Sequence, residues 1–521
     1  MFDQFSALDG VVLLCYLLLL VASGWWVNRR QSSTQGYFLG NHAMPVMLVA
    51  ISVLATSQSA ATFLGGPDQG FRSDLSYLAT TLSALIAALI VSRFLLPKFY
   101  QHNVYTVYEL LEQRFGSSAR KAAGLIYLLG RVFASGARLY IAALAVSMIL
   151  FANIHASSIV ISIGVIVLCG LMYTIIGGIR SVIFSDALQA AIYTLSALAV
   201  IIVLHEKISL PLNDIIHVLQ HPFEGGSKLT LINTSFSLGP EAVFSLPNIL
   251  LGMVLLNVAA FGLDQDMTQR LLTCRDNKSS QKALFISVLV TAFVMFLFIC
   301  IGLLLYVYYR SALPTTAANT PLYLGQTVTI FLYFVLTDLP AGVKGLVTIG
   351  IIAAALSSLN SGLNSMASVI VQDFYAPLKR KTGVKLSPHQ LVFAGRVAMT
   401  AVALALAGMA FLCFYWQQYS DTPLLQFALV VMIFSYSGLL GVYIVSLFTH
   451  RGNHRSVIWA LVAGFVTPLL MQPYIVTFYP PAWQFDLAFT WQLIIGTVIA
   501  SGVCWMGKPL TTYQKESALK L

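Results

Sequence analysis

Charge is scarce in this sequence. Only 29 Lys or Arg and 19 Asp or Glu occur in 521 residues, 9% in all, where a soluble domain carries about 25%. A water-facing globule is thereby excluded. Cysteine is thin as well. Cys15, Cys169, Cys274, Cys300, Cys413 and Cys504 include no CxxC pair, and five of the six fall inside apolar runs. Neither a disulfide framework nor a zinc site is supported. No nucleophile–base motif, phosphate loop or metal cluster is visible, so no enzyme reading arises. A cleavable leader is missing too. Residues 9–28 lack a basic start and a small-x-small cleavage site, and read as a retained helix.

What is present suits hydrocarbon. The chain is 58% hydrophobic, with a mean hydropathy of +0.82. Apolar runs recur from end to end at the length that crosses a bilayer as a helix. Thirteen segments can be drawn: 9–28, 46–65, 74–97, 120–150, 157–178, 181–204, 244–266, 281–309, 342–372, 390–415, 424–448, 456–473 and 487–506. With the N-terminus placed outside, 21 of the 29 basic residues fall in cytoplasmic segments and five in outer ones. The other three, Arg131, Arg138 and Arg396, lie within helices. This bias sets the expected orientation, with the C-terminus in the cytoplasm. It also gives the net charge of +10 a cause in topology and anionic inner-leaflet lipid, not in nucleic acid. The longest outer connections, 205–243 and 310–341, have room for short amphipathic helices such as "PLNDIIHVLQ". These serve either as caps over a vestibule or as plain connectors.

Segments two to six and seven to eleven form two blocks of five. Five is odd, so the second block enters the membrane from the opposite side. That is the parity of an inverted-topology repeat, whose site lies near the midplane on interrupted helices. The first helix of each block is then expected to be broken. The first block opens on a helix with "ATSQSAAT" at its centre and Gly65-Gly66-Pro67 at its end. The second opens on one carrying Asn257, Gly262, Asp264 and Asp266. Ordinary small-residue helix packing is the alternative. The expected division is an extra helix and loop (1–45), two repeats (46–204 and 244–448) around an outer loop (205–243), and two further helices with a cytoplasmic tail (449–521).

The ninth segment carries an unusual load of hydroxyls. Ser357, Ser361, Ser365 and Ser368 share one stripe of a helix, with Ser358 beside it. A small hard cation takes several neutral oxygens, from side chains and carbonyls together. Ser357, Ser358, the Ala354 carbonyl and the carbonyls of a broken helix would supply them without a carboxylate. The alternative is close packing, with each serine bonded back to its own helix.

Ionisable residues inside a membrane are costly and point to function. Arg138 lies near the middle of a long helix, and its fork matches a carboxylate. It is either the receptor of an anionic solute or a structural partner. Arg131, nearer the inner end, reads as structural. Asp186 either helps to bind and release a cation or pairs with Arg131 or Arg180. Asp264, Asp266 and Arg270 read as an inner gate or loop network.

The stretches "GYFLGNHAMP", "YTVYELLEQRFG", "GGIRSVIFSDALQ", "GLDQDMTQR" and "LPAGVKGLVTIGIIAAALSSLNSGLNSMASVIVQDFY" resemble, in order, motifs of the sodium:solute symporter family. That family includes carriers of proline, pantothenate, sialic acid and sugars. The resemblance implies an all-α polytopic protein of about 13 transmembrane helices with a LeuT-like 5+5 core and sodium-coupled alternating access. It implies one Na+ held by the carbonyls of Ala55, Gln58 and Ala354 and the hydroxyls of Ser357 and Ser358. Some relatives bind a second sodium, for which Asp186, Ser358 and Ser361 match here, with Asn360 at a position that is serine in some of them. Asn257 matches an asparagine of the sugar carriers. The aromatic pair that follows it there is Ala259-Ala260 here, and a sugar-gripping glutamate is Thr81, which argues against a hexose. Ser59 and Thr62 resemble positions that hold a carboxylate in sialic acid carriers, with Arg138 as the cationic partner.

The expectation is a sodium symporter of the plasma or bacterial inner membrane. It imports a small organic, carboxylate-bearing solute through a pocket of Ser59, Thr62, Thr80, Thr81, Arg138, Asn257 and Phe261. The alternatives are a proton-coupled carrier with Asp186 as the proton site, a neutral-solute carrier of sugar type, and a transporter-like sensor. The expected partners are the solute, sodium and the lipid bilayer, with no nucleic acid. The sequence sets no oligomeric state.

Overall fold

The computed structural model describes residues 6–28, 34–222, 225–309, 321–383, 386–417 and 424–508. Six basic residues counted for orientation, Arg29, Arg30, Arg310, Lys385, Lys515 and Lys520, lie outside them, as do residues 310–320 of the second outer connection.

Among the described residues, eight helices are long and apolar enough to cross a membrane, two more spans are helix pairs bent at a break, and three apolar helices are shorter. In chain order they are α1 (Ala7–Asn28), α2a (Val46–Ser57) with α2b (Ala60–Arg72), α3 (Leu75–His102), α4 (Ser117–Phe151), α5 (Ala156–Ile175) and α6 (Gly177–Ile208). There follow α7a (Leu246–Gly262) with α7b (Gln265–Leu271), α8 (Asn277–Tyr309), α9 (Val343–Lys381), α10 (Pro388–Trp416), α11 (Gln426–Phe448), α12 (His454–Leu470) and α13 (Phe489–Trp505). Each segment drawn from the sequence falls on one of these helices. The bent pairs are the two that open the blocks of five. α2 turns by 68° and α7 by 59°.

α9 is the central post. It packs on α1, α4, α10 and the α5–α6 pair, and it touches both halves of α2. Its serine stripe is therefore buried in protein and away from lipid, which is where polar side chains in a membrane are tolerated. The start of α9 is tied down by α1. Asp9 Oδ1 accepts from the backbone N–H groups of Gly342 (2.8 Å) and Gly345 (2.7 Å). These include donors that a helix start leaves unpaired, and a carboxylate there also suits the helix dipole.

The expected "PLNDIIHVLQ" helix forms at Leu212–Gln220. Ile215 and Leu219 bury against Met295, Ile299 and Leu303 of α8. Lys228 then donates to the carbonyls of Phe71 (2.7 Å) and Ser73 (2.9 Å), clasping this connection to the end of α2b. This connection is therefore packed onto α8 and the end of α2b.

Two glycines let α2b and α8 touch backbone to backbone. A Cβ on Gly302 would collide with the Pro67 carbonyl, and one on Gly70 with the Ile299 carbonyl. Gly302→Leu is accordingly expected to cost about 1–3 kcal/mol by overpacking, read as a fall in the melting temperature of purified protein. Gly408→Leu is the control. Nothing lies within 4 Å of a Cβ there, and it should be neutral or slightly stabilising.

Candidate solute and sodium site

The break in α2 has a local cause. Hydroxyls compete with the backbone for hydrogen bonds. Thr56 Oγ1 donates to the Ser52 carbonyl (2.8 Å) and Ser57 Oγ to that of Leu54 (2.7 Å). Gln58 and Ser59 are extended, with ψ of 137° and 176°. In an unbroken helix the Ser59 N–H would reach the Ala55 carbonyl. Here it turns to Thr62 Oγ1 (3.3 Å). The Thr62 N–H likewise goes to the Ser59 carbonyl (3.0 Å) in place of that of Gln58. The carbonyls of Ala55 and Gln58 are thus released from their helical donors, at the residues where the resemblance puts ion ligands.

On α9, Ser357 and Ser358 are buried. Ser357 Oγ donates to Asp186 Oδ1 (2.7 Å). Ser358 Oγ reaches the carbonyls of Ala354 and Ala355, both at 3.2 Å. A hydroxyl that gives up its proton keeps its lone pairs. Both oxygens therefore retain the capacity to ligate a cation, and the donor set is all hard oxygen.

Beside the break lies a cavity of about 160 Å³. Of the seven solute residues expected from the sequence, six line it: Thr62, Thr80, Thr81, Arg138, Asn257 and Phe261. Ser59 does not. It sits at the N-cap of α2b, where its backbone N–H is taken by Thr62 Oγ1 (3.3 Å) and its carbonyl by the Thr62 N–H (3.0 Å). Tyr77, Thr291 and Met432 also line the cavity and were not anticipated. The last two sit on helices that read as plain apolar spans and give no sequence signal. Ala260 lines it as well, one of the two alanines that the resemblance sets against an aromatic pair.

Arg138 is the one charged residue in that lining. Its guanidinium contacts Met432 Sδ (3.3 Å), and no ion pair involves it among the described residues. The alternative of an acidic structural partner therefore fails. The other polar groups are partly spoken for. Thr80 Oγ1 donates to the Tyr77 carbonyl (2.7 Å), and the Asn257 amide to Ser83 Oγ (3.0 Å).

A second polar block joins α4, α6, α7b, α9 and α11. Arg131 pairs with Asp264 (3.0 Å) and with Asp266. Arg270 pairs with Asp266 (3.0 Å) and Asp186 (3.1 Å). Tyr436 Oη donates to Asp264 (2.5 Å), and Ser361 Oγ to Asp266 (3.0 Å). One expectation is corrected here. The partner of Asp186 is Arg270, neither Arg131 nor Arg180, because the bend in α7 swings Arg270 back into the bundle. The Ser361 hydroxyl also reaches the Ser358 carbonyl (3.0 Å). Tyr436 and Ser52, whose hydroxyl donates to Asp186 (2.5 Å), were not foreseen.

Two helices broken at matching places in blocks of five, meeting a polar post beside a cavity within the bundle, define a secondary carrier of the inverted-repeat type. The family model described as "Sodium:solute symporter family" matches residues 37–464, and the chain belongs to that family. It is a multi-pass membrane symporter whose coupling ion is sodium. It is 27% identical to the sodium/sialic acid symporter of Aliivibrio fischeri, over 98% of this chain and 94% of that one. To the human sodium/iodide cotransporter it is 26% identical, over 92% of this chain and 72% of that one. In fold it is similar to a substrate-bound, outward-open Na+-coupled sialic acid symporter (TM-score 0.78, 23% identity, 97% of this chain and 100% of that one).

Proposed function

We propose that the chain imports a small carboxylate-bearing solute together with sodium, by alternating access, with its N-terminus outside and its C-terminus in the cytoplasm. The carrying observation is Arg138, a buried guanidinium that faces a cavity and has no ion pair among the described residues. A buried charge is stable only when paired, and an entering carboxylate supplies the partner with matching geometry. Relatives named for sialic acid, itself a carboxylic acid, and for iodide, another anion, support an anionic cargo. Thr62, Thr80, Thr81, Asn257 and Phe261 shape the rest of the pocket.

Sodium is assigned to the junction of α2 and α9, held by the carbonyls of Ala55, Gln58 and Ala354 and the hydroxyls of Ser357 and Ser358. Bound there, it ties the break in α2 to the post and completes the wall of the solute cavity. Uptake should vanish when potassium replaces sodium. Carboxylates should compete for uptake where their amides do not.

Ser357→Ala should raise the sodium concentration for half-maximal uptake by roughly tenfold or more, because it removes one ligand from a charged centre. An unchanged sodium dependence in that variant would reject the site. A proton-coupled reading centred on Asp186 is disfavoured by the arginine already paired with it.

A further inference from the structure

Gln58 belongs to both assigned sites. Its carbonyl, released by the break in α2, is among the oxygens assigned to sodium, and its side chain lines the solute cavity. The residue is 4% exposed, and its Oε1 is buried with no hydrogen-bond partner among the described residues. A buried amide oxygen left unpaired is costly, and folded proteins seldom keep one without a use for it.

The polar groups around it differ. The hydroxyls of Ser57, Thr80 and Ser287 donate to the carbonyls of Leu54, Tyr77 and Leu284, each at 2.7 Å. The Asn257 amide donates to Ser83 Oγ (3.0 Å). All four residues line the cavity, yet each already has a bond inside the protein. Among the described residues, Gln58 keeps an unspent amide oxygen and Arg138 an unpaired guanidinium.

We propose that the Gln58 amide reads a hydroxyl on the cargo, set apart from the carboxylate that Arg138 takes, so that the solute is a hydroxy acid and not a plain carboxylate. An amide accepts at one end and donates at the other, and a hydroxyl answers either. An ammonium group matches less well, since the lining already holds the Arg138 cation and, among the described residues, no carboxylate.

The inference rests on the carboxylate and sodium readings above. It goes beyond them by naming a second group on the cargo and the residue that meets it. It also joins the two sites. Sodium on the Gln58 carbonyl fixes the backbone from which the amide projects, so ion and hydroxyl each favour the binding of the other.

The test measures binding to the purified full chain in saturating sodium. The probes are propanoate, butanoate, hexanoate and benzoate, each beside its hydroxylated forms. At least one hydroxy acid should bind about tenfold tighter than its plain parent, the gain of one well-made hydrogen bond in a buried site. Binding of both sets with equal affinity would overturn the proposal and leave the carboxylate reading in place. If neither set binds, the carboxylate reading fails, and this inference with it.

Gln58→Leu keeps the carbonyl and removes the amide, so the preference for the hydroxy acid should disappear. A preference that survives in this variant, eluting as a single folded species, would overturn the assignment to Gln58. Should the variant not fold, Gln58→Met, unbranched and similar in length, answers the same question. In the parent, sodium should tighten the hydroxy acid more than its plain counterpart, and equal tightening of the two would overturn the link between the sites.

Discussion

Arg138→Gln should slow carboxylate uptake at limiting concentration by about 100-fold or more. The loss corresponds to a charged hydrogen-bonded pair worth about 3 kcal/mol, with nothing else in the cavity to replace it. Among the described residues the lining offers neutral hydroxyls, the amides of Gln58 and Asn257 and apolar walls, and no second cation. Arg138→Lys should recover only part of the rate, since an ammonium gives a point charge where the guanidinium gives a planar fork. The check is uptake in proteoliposomes, with the sodium-induced rise in melting temperature as the control for folding. Uptake within threefold of the parent would show that the guanidinium does not hold the cargo.

The second large effect concerns the block that joins α4 to α7b. Arg131→Met leaves Asp264 and Asp266 without their shared cation in a buried site. Breaking one side of such a pair costs about 3–5 kcal/mol, because the remaining charge stays buried. A marked fall in melting temperature in detergent is therefore expected. The double variant Arg131→Met with Asp264→Asn should melt above the single one, since it deletes one stranded charge as well. If the single and double variants melt together, or the single one melts as the parent does, the block does not hold α7b in place.

Much of the fold was legible in the sequence because hydrocarbon imposes a strong rule. A span must satisfy its own backbone, so it must be a helix and must be apolar over its length. The spans could be read off on that ground alone. The break in α2 was legible for a related reason: "ATSQSAAT" puts hydroxyls and an amide where a plain span would have none. The cavity was largely legible too, as Thr62, Thr80, Thr81, Arg138, Asn257 and Phe261 came from four different helices to one place.

The rest was not legible. Ser59 stands outside the cavity lining because it falls at the helix end, and local pattern does not separate a serine at a helix end from one at a ligand site. Thr291 and Met432 were missed because an apolar helix shows no mark where it happens to border a void. The partner of Asp186 was missed because several arginines were candidates and sequence distance does not rank them. Arg270 stands 84 positions away.

The sequence by itself determined that this is a helical membrane protein, which helices are interrupted, and which residue types could bind a cation and an anion. Those properties follow from composition and local hydrogen bonding, which each segment carries alone. Only the tertiary structure decided that Arg138 has no carboxylate partner among the described residues while Arg131 and Arg270 have theirs. Pairing of buried charges depends on which helix faces which across the bundle, and that is set by packing between elements far apart in the chain.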